Sequence, residues 1–292
     1  MFNSKFYRVK TFVLTRTPRS PNYLNRLYMI FLSKISCFFR RNYKNIGIKH
    51  ISLFSNSQYF GICKLEDKEK KIILVQDFAR VNRFISGFEY AYSRIWDQYL
   101  LTNFEFTNAS PIVIDIGANI GEFVQAAALK NASDIYAFEP DPISFYCLTP
   151  NTSRLFPKVK LFNMALSNVS GNQKFYLASS NADSSLIEPS TYSESLIVKV
   201  ARFDSIPEMK SLPMIDLLKM DAEGAEPEVL EGLGKLVYKI NNFAIDVGPE
   251  RKGNSTAPEV TEFFKKNKIQ CRLKHHSSGR ILIHAGNNIL DA

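Results

Sequence analysis

The stretch Ile112–Phe123 constrains the fold of this chain more than any other part of the sequence. An apolar run leads into Asp115, a turn with Gly117 and Gly121 follows, and a helical pattern then begins. This layout is typical of a buried parallel strand that enters a helix through a tight loop. Because glycine has no Cβ, a ligand can approach the backbone of such a loop, and the free N–H groups of the helix can bind a polar or anionic group.

A second predicted strand, residues 134–138, runs into Glu139 and Pro140 about 20 residues after this loop. The tip of the second strand is where a bound nucleotide presents its ribose hydroxyls. We therefore expect Glu139 to accept hydrogen bonds from two vicinal hydroxyls, and Pro140 to fix the direction of the chain there. The alternative is that Glu139 is a solvated residue at a strand end.

The glycine spacing distinguishes two classes of nucleotide-binding enzyme. The loop reads Gly-x-Asn-x-Gly, whereas nicotinamide dinucleotides are bound by Gly-x-Gly-x-x-Gly. A dinucleotide-dependent oxidoreductase is therefore an alternative that the spacing disfavours.

The composition indicates a globular protein of a reducing compartment. The chain has 292 residues, of which 45% are apolar and 22% charged, and these values are ordinary for a globular fold. Its four cysteines are scattered without a Cys-x-x-Cys pair. That distribution argues against a zinc site or a disulfide framework and predicts a cytoplasmic protein.

The basic charge is confined to the first 50 residues. This segment holds eleven Lys and Arg residues and no Asp or Glu, while the whole chain has a net charge of +9, so the remaining residues carry a net charge of −2. A nucleic-acid enzyme more often spreads its basic residues over a binding face. We therefore expect no nucleic-acid partner.

Within the basic segment, Tyr23–Phe39 has the apolar spacing of an amphipathic helix. Its uninterrupted apolar part, Leu27–Leu32, is far shorter than the roughly 20 residues that span a bilayer. One interpretation is a helix that lies on an anionic membrane face through residues 21–44, at the inner face of the membrane. The alternatives are a helix that caps the catalytic domain, a dimer contact, or an organelle transit peptide.

The next segment predicts a hairpin and a helix. Two strand-like runs, 59–65 and 71–75, flank a charged turn, and residues 80–101 follow with helical spacing and many aromatics. Such a helix often covers a ligand site, although core packing explains most of its aromatics. We divide the chain into a basic extension (1–50), a hairpin and helix region (51–106) and a ligand-binding domain (107–292).

Strands and helices then alternate to the end of the chain. Further core strands are predicted at 159–162, 214–220 and 242–247, a hairpin near 174–200, and a closing strand pair near 269–273 and 280–284. This alternation predicts a doubly wound α/β sheet with its ligand at the carboxyl ends of the strands.

Five short segments carry a family resemblance. They are Asp115–Glu122, Phe138–Asp141, Ala165–Ser167, Ser185-Leu186 and Lys219–Glu226. In order and spacing they resemble the FkbM family of S-adenosylmethionine-dependent methyltransferases, over roughly residues 80–285. The resemblance implies a class I methyltransferase (Rossmann-like) fold, mostly parallel with the last of seven strands reversed. It also implies O-methylation of a hydroxyl on a sugar, glycan or secondary metabolite.

The resemblance further implies where the cofactor S-adenosyl-L-methionine binds. The glycine loop would lie beside its methionine part, Glu139 would hold the ribose, and the end of the third strand would border the adenine. Asp115 and Asn119 would be available for the ammonium and the carboxylate. The predicted cofactor-binding residues are Asp115, Gly117, Ala118, Asn119, Gly121, Glu122, Glu139, Pro140, Asn163 and Ala165.

Asp221 and Glu223, at the end of the fourth strand, are predicted to position or deprotonate the acceptor hydroxyl. Asp246, where many family members carry Glu, completes the predicted catalytic set. We predict no metal site, although these carboxylates at neighbouring strand ends could share a divalent ion. Alternatively, Glu223 or Glu226 caps the helix that follows.

Two further candidates remain open. His275 and His276 precede the final turn; one of them could face the pocket as a base, and surface histidines are the alternative. Ser184 and Ser185 lie in an insert that could fold over the acceptor or the cofactor. A different class of function also stands beside the methyltransferase: a membrane or assembly factor in which the basic extension acts and the cofactor site is vestigial.

Overall fold

The computed structural model of this protein describes residues 48–54, 62–76, 80–155, 158–177, 184–189, 192 and 194–286. The strands are β1 (Ile48–Phe54), β2 (Ile62–Asp67), β3 (Ile72–Val75), β4 (Ile112–Ile116), β5 (Asp134–Phe138), β6 (Lys158–Phe162), β7 (Ala165–Leu166), β8 (Gly171–Leu177), β9 (Glu194–Ala201), β10 (Leu217–Met220), β11 (Asn242–Asp246), β12 (Cys271–His275) and β13 (Ile281–Gly286). The α-helices are α1 (Val81–Phe84), α2 (Phe88–Gln98), α3 (Glu122–Leu129), α4 (Pro142–Thr152), α5 (Pro207–Ser211), α6 (Glu226–Leu233) and α7 (Ala257–Lys266). The predicted amphipathic helix Tyr23–Phe39 lies outside the described residues.

A seven-stranded sheet forms the centre of the protein, with strand order β12-β13-β11-β10-β4-β5-β6. The neighbouring pairs among β11, β10, β4, β5 and β6 are parallel, and β13 is antiparallel to both β11 and β12. Every residue of β4, β10 and β11 is buried, as expected for parallel strands with both faces covered. The predicted mostly parallel α/β sheet with a reversed last strand is therefore confirmed.

The strand order fixes where a ligand can bind. The chain passes from β4 outwards to β5 and β6, and later returns to place β10 on the other side of β4. The carboxyl ends of β4 and β10 thus flank a topological switch point, where open α/β sheets leave a crevice for ligands. The loops that follow β4, β5, β10 and β11 all lie at this edge.

The N-terminal region covers one face of the central sheet. The predicted hairpin is present as β2 and β3, and β1, which the sequence did not predict, pairs antiparallel with β2. The single predicted helix is divided into α1 and α2 at Gly87, which has φ 109°. Trp96 of α2 stacks on Phe123 of α3 with ring centroids 5.3 Å apart. This region and the adjoining side of the sheet share one hydrophobic cluster.

A small third sheet, with order β7-β9-β8, extends the molecule after β6. The predicted hairpin is confirmed by the antiparallel pairing of β8 with β9. Ser185 forms an isolated bridge with Tyr176 of β8 and is buried, so the described end of the insert packs on this hairpin. No helix within the described residues is both long and apolar enough to cross a membrane.

Candidate functional site

The glycine loop after β4 and the acid at the tip of β5 are joined directly. The backbone N–H of Asn119 donates to Glu139 Oε2 at 2.7 Å. The N–H groups of Gly117 and Ala118 both donate to the carbonyl of Phe138 at 3.0 Å. The two strand tips that the sequence pairs around one ligand therefore lie side by side.

The loop adopts a backbone that few side chains tolerate. Gly117 has φ +73° and Gly121 has φ +94°, both in the left-handed region that favours glycine. A Cβ at Gly117 would lie 2.0 Å from the carbonyl oxygen of Asp221. Asn119 has φ 51°, which asparagine adopts more readily than most residues. The glycines are thus required by the close approach of the strand ends.

Glu139 is buried rather than solvated, with only 5% of its surface exposed. Its Oε1 accepts the N–H of Asp141 at 2.8 Å, while Oε2 accepts that of Asn119. Burial, together with the nearby charge of Asp141, raises the pKa of Glu139 to about 8 against the opposing effect of the two backbone N–H groups. Each oxygen retains a second lone pair, so the carboxyl group can still accept hydrogen bonds from a ligand.

Asp115 is completely buried and forms an ion pair with Lys219 of β10, with Nζ 3.0 Å from Oδ1. Lys219 Nζ also donates to the carbonyl of Gly117 at 2.9 Å and to that of Ile116 at 3.2 Å. Asp115 thus anchors the lysine that holds the base of the loop. Lys219 belongs to a motif that the sequence analysis singled out, but its role was not predicted.

Residues of the N-terminal region also contact the loop. Gln76 Nε2 donates to Asn119 Oδ1 at 3.0 Å and to Ser144 Oγ at 3.3 Å. No donor among the described residues reaches its buried Oε1. Glu122, at the start of α3, forms an ion pair with Arg83 at 2.9 Å. Gln76 thus supplies an unsatisfied acceptor beside the loop, and no pattern in the sequence pointed to it.

The remaining predicted cofactor residues follow β6. Asn163 Nδ2 donates to the carbonyl oxygens of Glu139 at 2.8 Å and Pro140 at 3.4 Å. Ala165 is buried in β7, where it pairs with Val200. Asn163 therefore fixes the backbone at Glu139 and Pro140, and the ends of β5 and β6 lie close together.

Two of the three predicted catalytic acids converge on one guanidinium. Arg280 Nη1 donates to Asp221 Oδ2 at 3.1 Å and to Asp246 Oδ2. The hydroxyl of Tyr99, at the end of α2, donates to the same Asp221 oxygen at 2.6 Å. Gly248 N donates to Asp246 Oδ1 at 3.1 Å. No role for Arg280 was predicted from the sequence, although this residue immediately precedes the reversed last strand, whose start must lie where the parallel strands end.

The pKa values of Asp221 and Asp246 are shifted in opposite directions. Burial on its own raises the pKa of Asp221, but the cations Arg280 and Lys219 and the hydroxyl of Tyr99 outweigh it and hold that pKa below its usual value. Burial and the neighbouring Asp221 raise the pKa of Asp246. Asp221 is therefore the firmly ionised member of the pair, and the pair titrates as a unit.

Glu223 and Glu226 differ in their surroundings. Glu223 is partly exposed in the turn after β10 and has φ 52°, which is rare for a residue other than glycine. Glu226 is fully buried; its Oε1 accepts the N–H groups of Ala222 and Gly224 at 3.1 and 3.0 Å. Glu226 therefore stabilises the turn that precedes α6, whereas the alternative of a side-chain cap on the helix itself is not borne out, because its N-cap residue Ala225 has no side-chain cap hydrogen bond.

The histidines lie at the turn between β12 and β13. His275 is exposed, whereas His276 places Nε2 3.1 Å from Asp97 Oδ2 and Nδ1 2.7 Å from Ser278 Oγ. His276 thus ties the turn that carries Arg280 to the helix that leads into Tyr99. Within the described ranges, no three or more His, Cys, Asp or Glu side chains are arranged to hold a metal ion.

Comparison with known proteins supports this reading of the motifs. A family model described as the methyltransferase FkbM domain matches residues 115–271, more than half of the chain. The hexuronic acid methyltransferase AglP of Haloferax volcanii is 30% identical over 164 residues, which cover 56% of this chain and 64% of that protein. The 2-O-methyltransferase NoeI of Sinorhizobium fredii is 28% identical over 142 residues, covering 42% and 57%.

The chain therefore spans less than two thirds of the length of these two relatives. Among solved structures, that of M. capricolum TrmK in complex with S-adenosyl-homocysteine has a TM-score of 0.40 and 14% identity, and the match covers 66% of this chain and 68% of the other.

Proposed function

Because the chain belongs to the FkbM methyltransferase family, we propose that it is an S-adenosylmethionine-dependent methyltransferase that acts on a hydroxyl of a sugar or related small molecule. The observation that carries this proposal is the direct hydrogen bond from the glycine loop, through Asn119, to the buried carboxyl of Glu139. One ligand that spans these two groups must present a polar chain end and a pair of hydroxyls, as an adenosine linked to methionine does.

Two properties of the described residues fit this cofactor. Gly117 and Gly121 have left-handed backbones, which let the loop turn tightly into α3 and present its backbone to the amino-acid end of the cofactor. Gln76 Oε1 is buried without a donor beside Asn119, so a donor on the ligand would satisfy it. Of the predicted residues, Ala118 and Glu122 would border the same end.

The remaining cofactor residues divide between direct contact and support. We assign the ribose hydroxyls to Glu139, and the edge of the adenine to Asn163 and Ala165. Asp115 acts through Lys219, which holds the loop, and Pro140 fixes the chain between Glu139 and Asp141. Bound in this way, the cofactor supplies a methyl group on a sulfonium, which an oxygen nucleophile can displace.

The acceptor would then lie over the ends of β10 and β11. Asp221, Glu223 and Asp246 come from these ends, and the first and last of them are held by Arg280. Fixed carboxylates can orient a hydroxyl group by accepting its hydrogen bond, and orientation is the main requirement of methyl transfer. We propose that these acids position the acceptor.

The acceptor class follows from the relatives. Their names specify a hexuronic acid in one case and a 2-O position in the other. The first name specifies a sugar acid and the second an oxygen as the methylated position, and we propose a hydroxyl on a carbohydrate as the acceptor of this chain.

Calorimetry tests the proposal. S-adenosylhomocysteine should bind the full chain with micromolar affinity, and Glu139→Ala should weaken it at least tenfold, whereas the surface variant Glu259→Ala should bind as the parent does. Labelled S-adenosylmethionine, offered with glucuronic acid, galacturonic acid and neutral monosaccharides, should then transfer label to a sugar. Absence of calorimetric binding at 1 mM ligand would exclude the function.

Residues 21–44 lie outside the described part of the chain, and for them we propose peripheral contact with an anionic membrane. The support is the sequence: the first 50 residues hold eleven basic and no acidic residues. The full chain should co-sediment with vesicles that contain phosphatidylserine, and replacement of Arg40 and Arg41 by Ala should reduce the bound fraction. Equal sedimentation of both forms would refute the contact.

We also propose the division into residues 1–50, 51–106 and 107–292, with the last as the transferase domain and the middle as its cover. The packing of α2 on α3 supports a cover that stays attached to the transferase. Limited proteolysis should therefore cut within the basic extension, ahead of β1 (Ile48–Phe54), before it cuts near residue 107. The reverse order would contradict this division.

A further inference from the structure

Glu250 lies in the turn after β11, at the same edge of the sheet as Asp221 and Asp246. Its Oε2 is buried, and none of the described residues donates a hydrogen bond to it. An unsatisfied acceptor of this kind costs free energy. A hydrogen-bond donor on a ligand bound beside it would satisfy this acceptor.

The other carboxyl groups here already have partners. Asp221 and Asp246 are occupied by Arg280, with Tyr99 and Gly248 as additional donors. Glu226 accepts two backbone N–H groups and the hydroxyl of Thr256 at 2.9 Å. These acids accept hydrogen bonds from described residues, whereas Glu250 Oε2 accepts none from them.

Two glycines leave room for this side chain. A Cβ at Gly248 would lie 2.5 Å from Glu250 Oε1 and 3.4 Å from Asp246 Oδ1, so the Glu250 carboxyl folds back over Gly248 towards Asp246. A Cβ at Gly224 would lie 3.5 Å from the Cβ of Glu250. The turns after β10 and β11 thus hold the Glu250 side chain between them, beside the proposed acceptor site.

The surroundings make this carboxyl group strongly basic. Burial and the charges of Glu226, Asp221 and Asp246 together raise the pKa of Glu250 to about 9, against the opposing charge of Arg280. A hydroxyl group is a weak acid, so a base of raised pKa is better matched to its proton than an ordinary carboxylate. A cationic ligand nearby would lower the pKa and increase the ionised fraction.

Building on the transferase function proposed above, we propose that Glu250 is the base that accepts the proton of the acceptor hydroxyl. The oxygen of that hydroxyl forms the new bond to the methyl carbon, the carbon–sulfur bond breaks with its electron pair moving to sulfur, and the hydroxyl proton passes to the Glu250 carboxylate. The acids Asp221 and Asp246, held by Arg280, orient the acceptor during this step.

Proton-linked calorimetry tests the inference without an acceptor. S-adenosylmethionine and S-adenosylhomocysteine differ in the sulfonium charge, and their titration at pH 8 in buffers of different ionisation enthalpy measures the protons released on binding. The sulfonium ligand should release more protons than its thioether product, because its charge lowers the pKa of Glu250. The excess should disappear in Glu250→Gln and persist in the surface control Glu259→Gln. An equal excess in Glu250→Gln and the parent would overturn the inference.

Kinetics supply the second readout. With glucuronic acid as the probe acceptor, Glu250→Gln should lower kcat at least about 100-fold, the usual contribution of a general base. Its KM and its affinity for S-adenosylhomocysteine should change less than threefold. The parent should show a kcat that rises with pH, and the variant should lose this rise. A variant with full kcat would refute the role.

These outcomes are separable from those of the proposed function. If neither cofactor ligand binds the parent protein, the methyltransferase proposal fails and Glu250 loses its role with it. If both ligands bind and the proton excess survives in Glu250→Gln, only the assignment of the base fails. A thermal unfolding midpoint close to that of the parent establishes that the variant is folded.

Discussion

A Cβ placed on Gly117 would lie 2.0 Å from the carbonyl oxygen of Asp221. The approach is tight because β4 and β10 are adjacent parallel strands, and the N–H of Asp221 donates to the carbonyl of Ile116 at 3.0 Å. The loop assigned to the cofactor and the strand end assigned to the acceptor are therefore in backbone contact. A shift in one of them displaces the other.

Gly117→Ala should destabilise the protein strongly. A left-handed backbone costs a residue with a side chain about 1–2 kcal/mol, and the contact with the Asp221 carbonyl adds a steric term of about 1–3 kcal/mol. We expect a loss of about 3 kcal/mol in urea unfolding and loss of S-adenosylhomocysteine binding. Gly253→Ala is the matched control, because Gly253 has φ +91° with no atom within 4 Å of an added Cβ. Equal losses in the two variants would show that the close approach is unimportant.

Replacement of Arg280 should lower the free energy of unfolding, because Asp221 and Asp246 would lose the cation that they share. Arg280→Met leaves Asp221 and Asp246, whose side chains are only 14% and 6% exposed, without their shared cation. Loss of one member of a buried pair typically costs about 3–5 kcal/mol. We expect the free energy of unfolding at pH 8 to fall by about 3 kcal/mol, and Asp246→Asn added to Arg280→Met to recover part of it. Failure of the second change to restore stability would contradict the pairing.

The hydroxyl of Tyr99 should stabilise the fold through its hydrogen bond to Asp221. Tyr99→Phe removes the 2.6 Å hydrogen bond, and we expect a loss of about 1–2 kcal/mol. In an Asp221→Asn background the loss should be smaller, and a double-mutant cycle of unfolding free energies measures the difference. Tyr92→Phe, on the same helix, should change stability little. Strict additivity of the two changes would rule out the coupling.

Stability should fall with rising pH in a range set partly by Glu139. Its folded pKa of about 8 lies above the ordinary value of 4.5, so the folded protein retains a proton that the unfolded chain has released. This contribution is complete below about pH 4.5 and is lost as the pH rises through about 8. Glu139→Gln should make the slope between pH 5 and 8 shallower by at most about 1.4 kcal/mol per pH unit.

Urea unfolding at pH 5, 6.5 and 8 measures this slope. Glu226 and Glu250 also have raised pKa values, so Glu139→Gln should retain some pH dependence. The exposed Glu259→Gln should keep the parent slope. A Glu139→Gln slope equal to that of the parent would contradict the raised pKa.

The sequence predicted those parts of the site that lie in continuous motifs. The strand, glycine loop and acid of residues 112–139 are local patterns with a direct physical meaning, and the structure joins them through Asn119 and Glu139. The alternation of elements predicted the doubly wound α/β sheet, and the resemblance to the FkbM family implied its reversed last strand. In these segments, the residues that form the site are close together in the sequence, so a local pattern is enough to predict them.

The sequence did not predict the partners that come from distant segments. Gln76, Tyr99 and Arg280 reach the site from a strand end, a helix end and a turn, and each has ordinary residues around it in the sequence. Their roles depend on which elements are neighbours in space, which single-sequence periodicity does not contain. For Arg280 a topological signal existed, because a reversed strand begins where its parallel neighbours end.

Arg280 and Tyr99 hydrogen-bond across a separation of 181 residues, and this distance affects how the chain is made. During synthesis the segments with Tyr99, Asp221 and Asp246 leave the ribosome before the turn that carries Arg280. Domains generally fold as units, so the two enclosed acids lack their shared cation until the later segment with Arg280 has been synthesised. Ribosome-stalled chains that stop before residue 280 should therefore remain sensitive to protease even though most of the sheet has already emerged.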